Sequence, residues 1–297
     1  MDSGLGHAAL LGLLQGLTEF LPVSSSGHLA LAGMVFDLKE GGLTLNVMLH
    51  AGTLLATFLV LRRRVVPALV DGTRGLANPR RMRETEGGRD ALVVLVASLP
   101  TAIIGLLARD AVERFTSSPL VVGLGFLMTT ALLVSTRWLR PGSVESPSLP
   151  VALLLGVVQG IAVLPGVSRS GSTIAMALWL KVRPDRAFDL SMLMSLPVVL
   201  GAVLLEGRHL STESSGVSLA LVGASVSFVV GILALLLLRT LVVRGHFSLF
   251  ALWVFPLALA TLAMSKSWPA RVEPQQSVTV VDEARSRRAA PPPRAFG

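Results

Sequence analysis

The chain has 297 residues, of which 52% are hydrophobic and 15% are charged, with no cysteine and a mean hydropathy of +0.69. These values are typical of a polytopic membrane protein, and they exclude a soluble domain, disulfides, thiolate metal sites and a cysteine nucleophile. The formal charge of +8 does not indicate nucleic acid, because arginine in the loops of membrane proteins sets topology. Membrane lipid is therefore the expected partner, and binding of nucleic acid is not expected.

The first segment, 8–36, is predicted to be a re-entrant hairpin. The N-terminus carries Asp2 and no basic stretch, so no cleavable signal peptide is predicted. Residues 8–21 are mostly apolar, and a short apolar run follows the polar loop 22–28. Both runs are shorter than the roughly 20 residues that a spanning helix needs. The segment is therefore expected to enter and leave the membrane on one side.

A second apolar segment, 151–180, is interrupted in the same way by the polar loop 165–173, which carries Arg169. Neither of its apolar runs is long enough to cross a bilayer. Irregular backbone at membrane depth is tolerated only where it lines a cavity. The segment is predicted to be a second re-entrant hairpin, with its loop near the midplane.

The two hairpins are related by an internal repeat. A shift of 144 residues, from Gln15 to Gln159, aligns polar and glycine positions of one hairpin with the same residue types in the other. The aligned pairs are Gln15-Gly16 with Gln159-Gly160, Val23-Ser24 with Val167-Ser168, and Ser26-Gly27 with Ser170-Gly171. The repeat divides the chain into halves at 1–140 and 150–265.

Three apolar segments of spanning length follow each hairpin. They are predicted at 45–61, 91–108 and 120–136 in the first half and at 187–205, 217–238 and 247–264 in the second. Because three is odd, the second half must enter from the opposite side of the membrane. The predicted fold is an all-α polytopic membrane protein with an inverted-topology repeat, in which two broken-helix elements meet near the midplane.

Charge counting predicts the orientation. The loops 62–90, 137–150, 181–186 and 239–246 hold 15 Lys and Arg residues, against 4 in the short loops of the other face. The first set is predicted to be cytoplasmic, and 62–90 to be a solvated loop that sets topology. Residues 266–297 are polar and rich in Pro and Arg, so a disordered tail on the other side is predicted.

The first hairpin carries a candidate metal site. Gln15 and Glu19 are four residues apart and share one face of a helix. A carboxylate inside the membrane is costly without a partner. A divalent cation, Mg²⁺ or Ca²⁺, held through oxygen ligands would be such a partner. The alternative is a structural ion pair or a polar patch between helices.

The second hairpin carries a candidate phosphate site. Its run from Gly166 to Gly171 leads into a predicted helix start at 170–173. Backbone N–H groups at a helix N-terminus attract anions, and a guanidinium binds two phosphate oxygens in parallel. The pattern around Arg169 therefore suits a phosphate group. Pairing of Arg169 with Glu19 is the alternative, and it does not exclude function.

The runs Gln15 to His28 and Pro165 to Thr173 together resemble the two signatures of the bacterial undecaprenyl-diphosphate phosphatase family, the BacA/UppP type. The resemblance implies a bacterial inner-membrane enzyme, linked to bacitracin resistance, that removes one phosphate from undecaprenyl diphosphate and recycles this lipid carrier for cell-wall synthesis. The first acidic-motif position is Glu or Gln in the family, here Gln15. His50 departs from a common glutamine and is expected to be a helix-contact residue.

That reaction needs neutralisation of the diphosphate, an in-line nucleophile and proton transfer. Ser25 is the preferred nucleophile, because a hydroxyl near a carboxylate and His28 has an activating partner, with water directed by Glu19 as the alternative. The predicted catalytic residues are Glu19, Ser25, His28 and Arg169. The predicted phosphate-binding residues are Gly166, Ser168, Arg169, Ser170 and Thr173, and the predicted metal ligands are Glu19 and Gln15.

Other functions would share parts of this pattern. An ion-coupled transporter or lipid flippase would also have inverted repeats and broken helices. An intramembrane serine protease would need a histidine on another span, for which only His50 is available. The phosphatidic acid phosphatase type requires a histidine where Ala175 stands, so that pattern fails. The sequence leaves a homodimer open.

Overall fold

A computed structural model describes residues 2–36, 43–208 and 214–267. Within these ranges the chain forms helices joined by turns and loops, and its β-structure is one isolated bridge between Val144 and Val182. The helices are α1 (Asp2–Thr18), α2 (Ser25–Phe36), α3 (Leu43–Val60), α4 (Arg62–Ala77), α5 (Arg81–Glu84), α6 (Glu86–Thr116), α7 (Pro119–Ser135), α8 (Leu149–Ile161), α9 (Arg169–Trp179), α10 (Pro184–Gly207), α11 (Ser214–Val243) and α12 (Ala251–Ser265), with 3-10 turns at Thr136–Trp138 and Phe247–Phe250. The predicted tail lies almost wholly outside the described residues.

Six helices in the described part are long and apolar enough to cross a membrane, and the all-α polytopic class is confirmed. They are Leu43–Val60, Glu86–Thr116, Pro119–Trp138, Pro184–Gly207, Ser218–Val243 and Phe247–Ser265. The pairs α1/α2 and α8/α9 occupy the two segments predicted as hairpins, and α8 has only 13 residues. Their re-entrant course and the inverted orientation of the halves stay predictions.

Glycines allow the first arm of each hairpin to pack closely on a spanning helix. Helix α1 packs along α11, and α8 packs along α6. A Cβ at Gly16 would lie 2.9 Å from the Ser227 carbonyl oxygen, and one at Gly160 would lie 2.8 Å from the Ile104 Cβ. Small residues of this kind let membrane helices gain van der Waals contact. Each hairpin thus packs on the second spanning helix of the other half.

The centre of the protein is formed by α7, α9 and the first half of α10. Phe126, Ile174, Phe188 and Met194 are almost completely buried there. Large apolar side chains on the outside are instead exposed, for example Leu107 on α6, as is expected where lipid is the solvent. The loop that precedes α9 therefore lies in the protein interior, next to these buried helices.

The segment 62–90 differs from its prediction as a solvated loop. It forms α4, α5 and the first turn of α6, and α4 buries small residues such as Gly72 against α6. Arg64 on α4 pairs with Glu86 at 2.8 Å, and Arg186 on α10 forms a buried ion pair with Asp90. Arginines obscure the helical spacing of the apolar positions, which is why the sequence suggests a loop.

The close packing of α8 on α6 predicts a position-specific loss of stability. A Cβ at Gly156 would overlap the carbonyl oxygen of Ala97 and lie 2.7 Å from its Cα, both backbone atoms that cannot turn aside. Gly156→Ala is therefore expected to destabilise the protein by about 1–3 kcal/mol and to lower the thermal midpoint in detergent.

Gly201→Ala on α10 is the matched control, since a Cβ there meets nothing within 4 Å. It is expected to be neutral or stabilising by up to about 1 kcal/mol, because alanine favours a helix over glycine. Equal midpoints for the two variants would contradict the close contact between α8 and α6.

Candidate active site

The loops of the two hairpins touch each other. A Cβ at Gly27 would lie 2.8 Å from the Cα of Gly166, and one at Gly171 would lie 3.3 Å from the Cβ of Pro22. Gly166 has a φ of +86°, a conformation that residues with a side chain rarely adopt. A side chain there would also collide with the carbonyl oxygen of Val122. Glycine is thus needed for the two loops to meet.

Two helix N-termini face one cavity with the same capping arrangement. The Ser24 Oγ accepts a hydrogen bond from the Gly27 N–H at 3.2 Å, and the Ser168 Oγ accepts one from the Gly171 N–H at 3.0 Å. The first N–H groups of a helix have no partner within it, and the helix dipole places partial positive charge there. The N-termini of α2 and α9 therefore both favour an anion in the space between them.

An ion pair between Glu19 and Arg169 joins the two loops. The Arg169 Nη2 donates to the Glu19 Oε1, while the Glu19 Oε2 accepts from the Gln15 Nε2 at 3.1 Å and from the Ser25 Oγ at 3.2 Å. The Glu19 side chain is only 6% exposed, whereas that of Arg169 is 22% exposed. The structure thus brings the carboxylate, the guanidinium and the predicted nucleophile into one site.

A cavity of about 300 Å³ opens beside this ion pair. Its lining combines polar and apolar residues, as in many small-molecule sites. The polar lining is Thr18, Glu19, Ser24, Ser25, Ser26, His50, Thr101, Gln159, Ser168 and Arg169. The apolar lining includes Ala162, Val163, Val167, Val198, Val199 and Ala202.

The structure places His28 away from the Ser25 hydroxyl. Its Nδ1 lies 2.9 Å from the Ser24 carbonyl oxygen, and its Nε2 accepts a hydrogen bond from the Trp253 Nε1 at 3.0 Å. A carbonyl oxygen can only accept, so the proton is on Nδ1. The predicted activation of Ser25 by His28 is not the arrangement seen, and Glu19 is the partner of Ser25 instead. His28 supports Ser24, whose φ is +68°.

Three of the predicted phosphate-binding residues lie outside the cavity lining. The Thr173 Oγ1 donates to the Arg169 carbonyl oxygen at 2.8 Å and lies 2.6 Å from the Ser191 Oγ on α10. Ser170 contacts the Ser168 Oγ at 3.3 Å, and Gly166 packs against α7. Gly166 has no side chain, and the side chains of Ser170 and Thr173 contact Ser168 and α10, so these three residues shape the loop and do not line the cavity. Ser168 and Arg169 are the two that reach the cavity.

Gln159 is a cavity residue that the sequence analysis does not assign to the site. Its Nε2 donates to the Thr101 Oγ1 at 3.2 Å and to the Met194 carbonyl oxygen at 3.3 Å, so its amide orientation is fixed. The Gln159 Oε1 is buried and has no hydrogen-bond partner within the described residues. The 144-residue shift, which makes Gln159 the counterpart of Gln15, is the signal that could have identified it.

His50 also lines the cavity, although it is expected from the sequence to serve as a helix contact. Its Nδ1 lies 3.0 Å from the Asn46 carbonyl oxygen, one turn earlier on α3. This hydrogen bond places the proton of the neutral ring on Nδ1 and leaves Nε2 as an acceptor. A lone histidine on an apolar spanning helix is the signal for a functional position.

The oxygen atoms at this site suit a cation only if the substrate helps to bind it. Within the described ranges there is no cluster of three His, Asp or Glu side chains. Glu19 supplies one carboxylate and Ser25 a hydroxyl oxygen next to it, whereas the predicted ligand Gln15 turns its Nε2 toward Glu19 and is not part of the cavity lining. Mg²⁺ is commonly held by one or two carboxylates together with substrate phosphates and waters, so this set fits a cation shared with a diphosphate.

These features are a cavity with an ion pair, a serine hydroxyl and two helix N-termini, in an all-α polytopic membrane protein. A family model described as bacitracin resistance protein BacA matches residues 8–260, which include both hairpins and all the spanning helices except the end of the last. The chain belongs to the BacA family.

Several proteins named undecaprenyl-diphosphatase are similar to this chain over most of its length. That of Desulfosudis oleivorans is 43% identical over 265 residues, which cover 86% of this chain and 97% of that protein. That of Trichlorobacter lovleyi is 42% identical, covering 76% of this chain and 84% of that protein. That of Bacteroides fragilis is 36% identical, covering 88% and 98%.

Proposed function

We propose that this chain is an undecaprenyl-diphosphate phosphatase of the bacterial inner membrane, which hydrolyses the lipid diphosphate to undecaprenyl phosphate and inorganic phosphate. The observation that carries the proposal is the contact of Glu19 with both Arg169 and Ser25 beside a cavity between two helix N-termini. A base, a cation and a hydroxyl within one site are the groups that phosphoryl transfer needs. Family membership and the names of the relatives specify the substrate.

The diphosphate first binds to Arg169 and to the two helix N-termini, which carry the positive charge of the site. The ion pair with Glu19 is the one side-chain hydrogen bond that Arg169 makes among the described residues, so its remaining N–H groups can face the cavity. A guanidinium can hold two phosphate oxygens in one plane. The N–H groups at the starts of α2 and α9 add to this attraction from either side. Binding therefore places the diphosphate between Arg169 and Ser25.

The terminal phosphate is then transferred to the Ser25 hydroxyl. The Ser25 Oγ attacks the terminal phosphorus, its proton passes to the Glu19 Oε2, and the bond between phosphorus and the bridging oxygen breaks. Undecaprenyl phosphate leaves with the electron pair of that bond, and Glu19 passes the Ser25 proton to the oxygen of this leaving group, which returns Glu19 to the carboxylate. Water then attacks the phosphoserine, Glu19 accepts the proton of the water, and inorganic phosphate is released. The Ser25 oxygen recovers a proton from Glu19.

A divalent cation, Mg²⁺ or Ca²⁺, would be held by the Glu19 carboxylate together with diphosphate oxygens, and the hydrogen bond from the Gln15 Nε2 would keep that carboxylate in place. When bound, it would neutralise part of the charge that develops on the phosphates. The residues of the chain still do the positioning, since Arg169 orients the terminal phosphate and Glu19 orients Ser25.

The activity is tested by phosphate release from undecaprenyl diphosphate with purified protein in detergent. An enzyme releases phosphate there without any gradient, whereas an ion-coupled transporter or flippase has nothing to move across a detergent micelle. Release above that of a Glu19→Gln variant is the expected result. Equal, background release by both proteins would contradict the proposal.

The nucleophile is tested at Ser25. Ser25→Ala is expected to lower kcat by roughly 10³-fold or more, because a lost nucleophile cannot be replaced by its neighbours. Substrate labelled in its terminal phosphate, quenched in acid, is expected to leave labelled phosphoserine on the parent protein only. A Ser25→Ala variant within about tenfold of the parent would instead indicate water directed by Glu19. Ser26→Ala, one residue further along α2, is the matched control.

The binding of two phosphate oxygens by Arg169 is tested by its substitution with lysine. Both side chains carry a positive charge, but only arginine can hold two oxygens in a fixed plane. Arg169→Lys is therefore expected to lose about 10²- to 10³-fold in kcat, nearly as much as Arg169→Ala, with a smaller change in KM. Circular dichroism checks that the helices persist. A lysine variant within about threefold of the parent would leave Arg169 as a general electrostatic attractor.

Gln159 is assigned to the phosphate site through its unpartnered Oε1. A buried acceptor without a partner costs about 1–3 kcal/mol, and a protonated phosphate oxygen or a bound water would satisfy it. Gln159→Leu is expected to weaken inhibition by inorganic phosphate and to lower kcat/KM by roughly tenfold. Thr101→Val removes one hydrogen-bond acceptor of the Gln159 Nε2 but leaves the Gln159 Oε1 in place, so it is expected to have a smaller effect. Unchanged values for Gln159→Leu would remove Gln159 from the site.

A further inference from the structure

Helix α4 has a buried face and an exposed apolar face. Its buried face is Val65, Ala68, Gly72 and Gly75. Its second face is apolar and exposed, and it comprises Val66, Leu69, Val70 and Leu76, with Leu76 77% exposed. Val66, Leu69 and Val70 are three and four residues apart and share one side of the helix, and Leu76 lies seven residues after Leu69 on that same side, with the exposed Thr73 between them. We call this stripe, from Val66 to Leu76, the α4 apolar stripe.

The contacts of α4 place it at the level of the membrane surface. A Cβ at Gly87 would lie 2.5 Å from the Pro67 carbonyl oxygen, and one at Gly72 would lie 2.9 Å from the Ala91 Cβ. Residues 86–90 are polar, and the apolar stretch of α6 begins at Ala91. Helix α4 therefore packs on α6 at the boundary between its polar first turn and its membrane-spanning part.

Unpaired positive charge surrounds the stripe. Arg62 and Arg63 precede Val66 by four and three residues, and Arg74 follows Val70 by four, so all three lie beside it. All three are exposed and have no carboxylate partner within the described residues. Arg64 differs, since it is held by Glu86 and Asp189. The same exposure without a carboxylate partner holds for Arg80 and Arg83.

We propose that α4 is an interfacial helix that binds anionic phospholipid, with acyl chains covering the α4 apolar stripe and lipid phosphates bound by Arg62, Arg63 and Arg74. A helix with an apolar side and an arginine-rich border is the form in which chains lie in the plane of a membrane surface. Arginine stems can bury their methylenes while the guanidinium reaches the headgroups. The charge selects anionic over zwitterionic lipid, each arginine contributing roughly fivefold in affinity. This binding site is separate from the phosphatase cavity.

The test is a lipid titration of the purified full-length protein by native mass spectrometry in a neutral detergent. Phosphatidylglycerol and phosphatidylcholine with the same acyl chains are compared. The combined variant Arg62→Gln, Arg63→Gln, Arg74→Gln is expected to lose at least about tenfold in affinity for phosphatidylglycerol and little for phosphatidylcholine. Raised salt should weaken the parent in the same way, because these charges are exposed.

A matched control comes from three exposed arginines at the C-terminal ends of α6 and α10. The combined variant Arg109→Gln, Arg114→Gln, Arg208→Gln removes the same charge, and it is expected to bind phosphatidylglycerol like the parent. Phosphate release from undecaprenyl diphosphate in detergent is expected within about twofold for both triple variants, which checks that they fold. Equal losses of lipid binding in both, or no loss in the α4 variant, would overturn the proposal.

The stripe itself is tested by Leu69→Ser with Leu76→Ser. This variant is expected to lose affinity for both lipids, since both present acyl chains. Its oligomeric state, read from the mass of the protein without lipid, is expected to be the same as that of the parent. A parent dimer that dissociates in this variant would instead assign the stripe to a second copy of the chain and overturn the lipid proposal. Because lipid binding is measured without turnover, its outcome is independent of the proposed phosphatase activity.

Discussion

A carboxylate and a guanidinium among apolar helices are tolerated only if they form an ion pair. The packing of the two hairpin loops brings Glu19 and Arg169 into such a pair. Removing one partner of a buried pair leaves an uncompensated charge, which costs about 3–5 kcal/mol. The two residues lie 150 positions apart in the chain. The pair therefore joins the two hairpin loops and, at the same time, concentrates the polar chemistry of the protein at one place.

The glycines make that meeting geometrically possible. Gly16 and Gly160 let the first arm of each hairpin lie close to a spanning helix of the other half, and Gly27 and Gly166 let the two loops touch. Lipid provides no hydrophobic driving force between helices, so close packing must hold the loops in place. The rigidity of the site consequently depends on positions without side chains, several of them far from the charged residues.

The sequence predicts the all-α membrane fold well because membrane-spanning helices require long apolar runs. The pairing of Glu19 with Arg169 is only an alternative at that stage, because an intramembrane charge needs a partner but the sequence does not say which one. It fails where the direction of a side chain depends on tertiary packing. His28 and Thr173 belong to the motifs yet point to Trp253 and Ser191. The sequence does not predict helix α4, because its arginines suggest a solvated loop, whereas its small residues pack on α6.

The Arg169 side chain is more exposed than that of Glu19 and lines the cavity, so a second anion can approach the guanidinium without first reaching the carboxylate. Without that anion, the charges of the two side chains cancel each other. In the proposed mechanism, a diphosphate would bind the N–H groups that the ion pair leaves free and would weaken the hold of Arg169 on Glu19, which would make the carboxylate a stronger base toward Ser25. The lipid monophosphate carries less charge, so the ion pair would regain its strength after cleavage and favour release of the product.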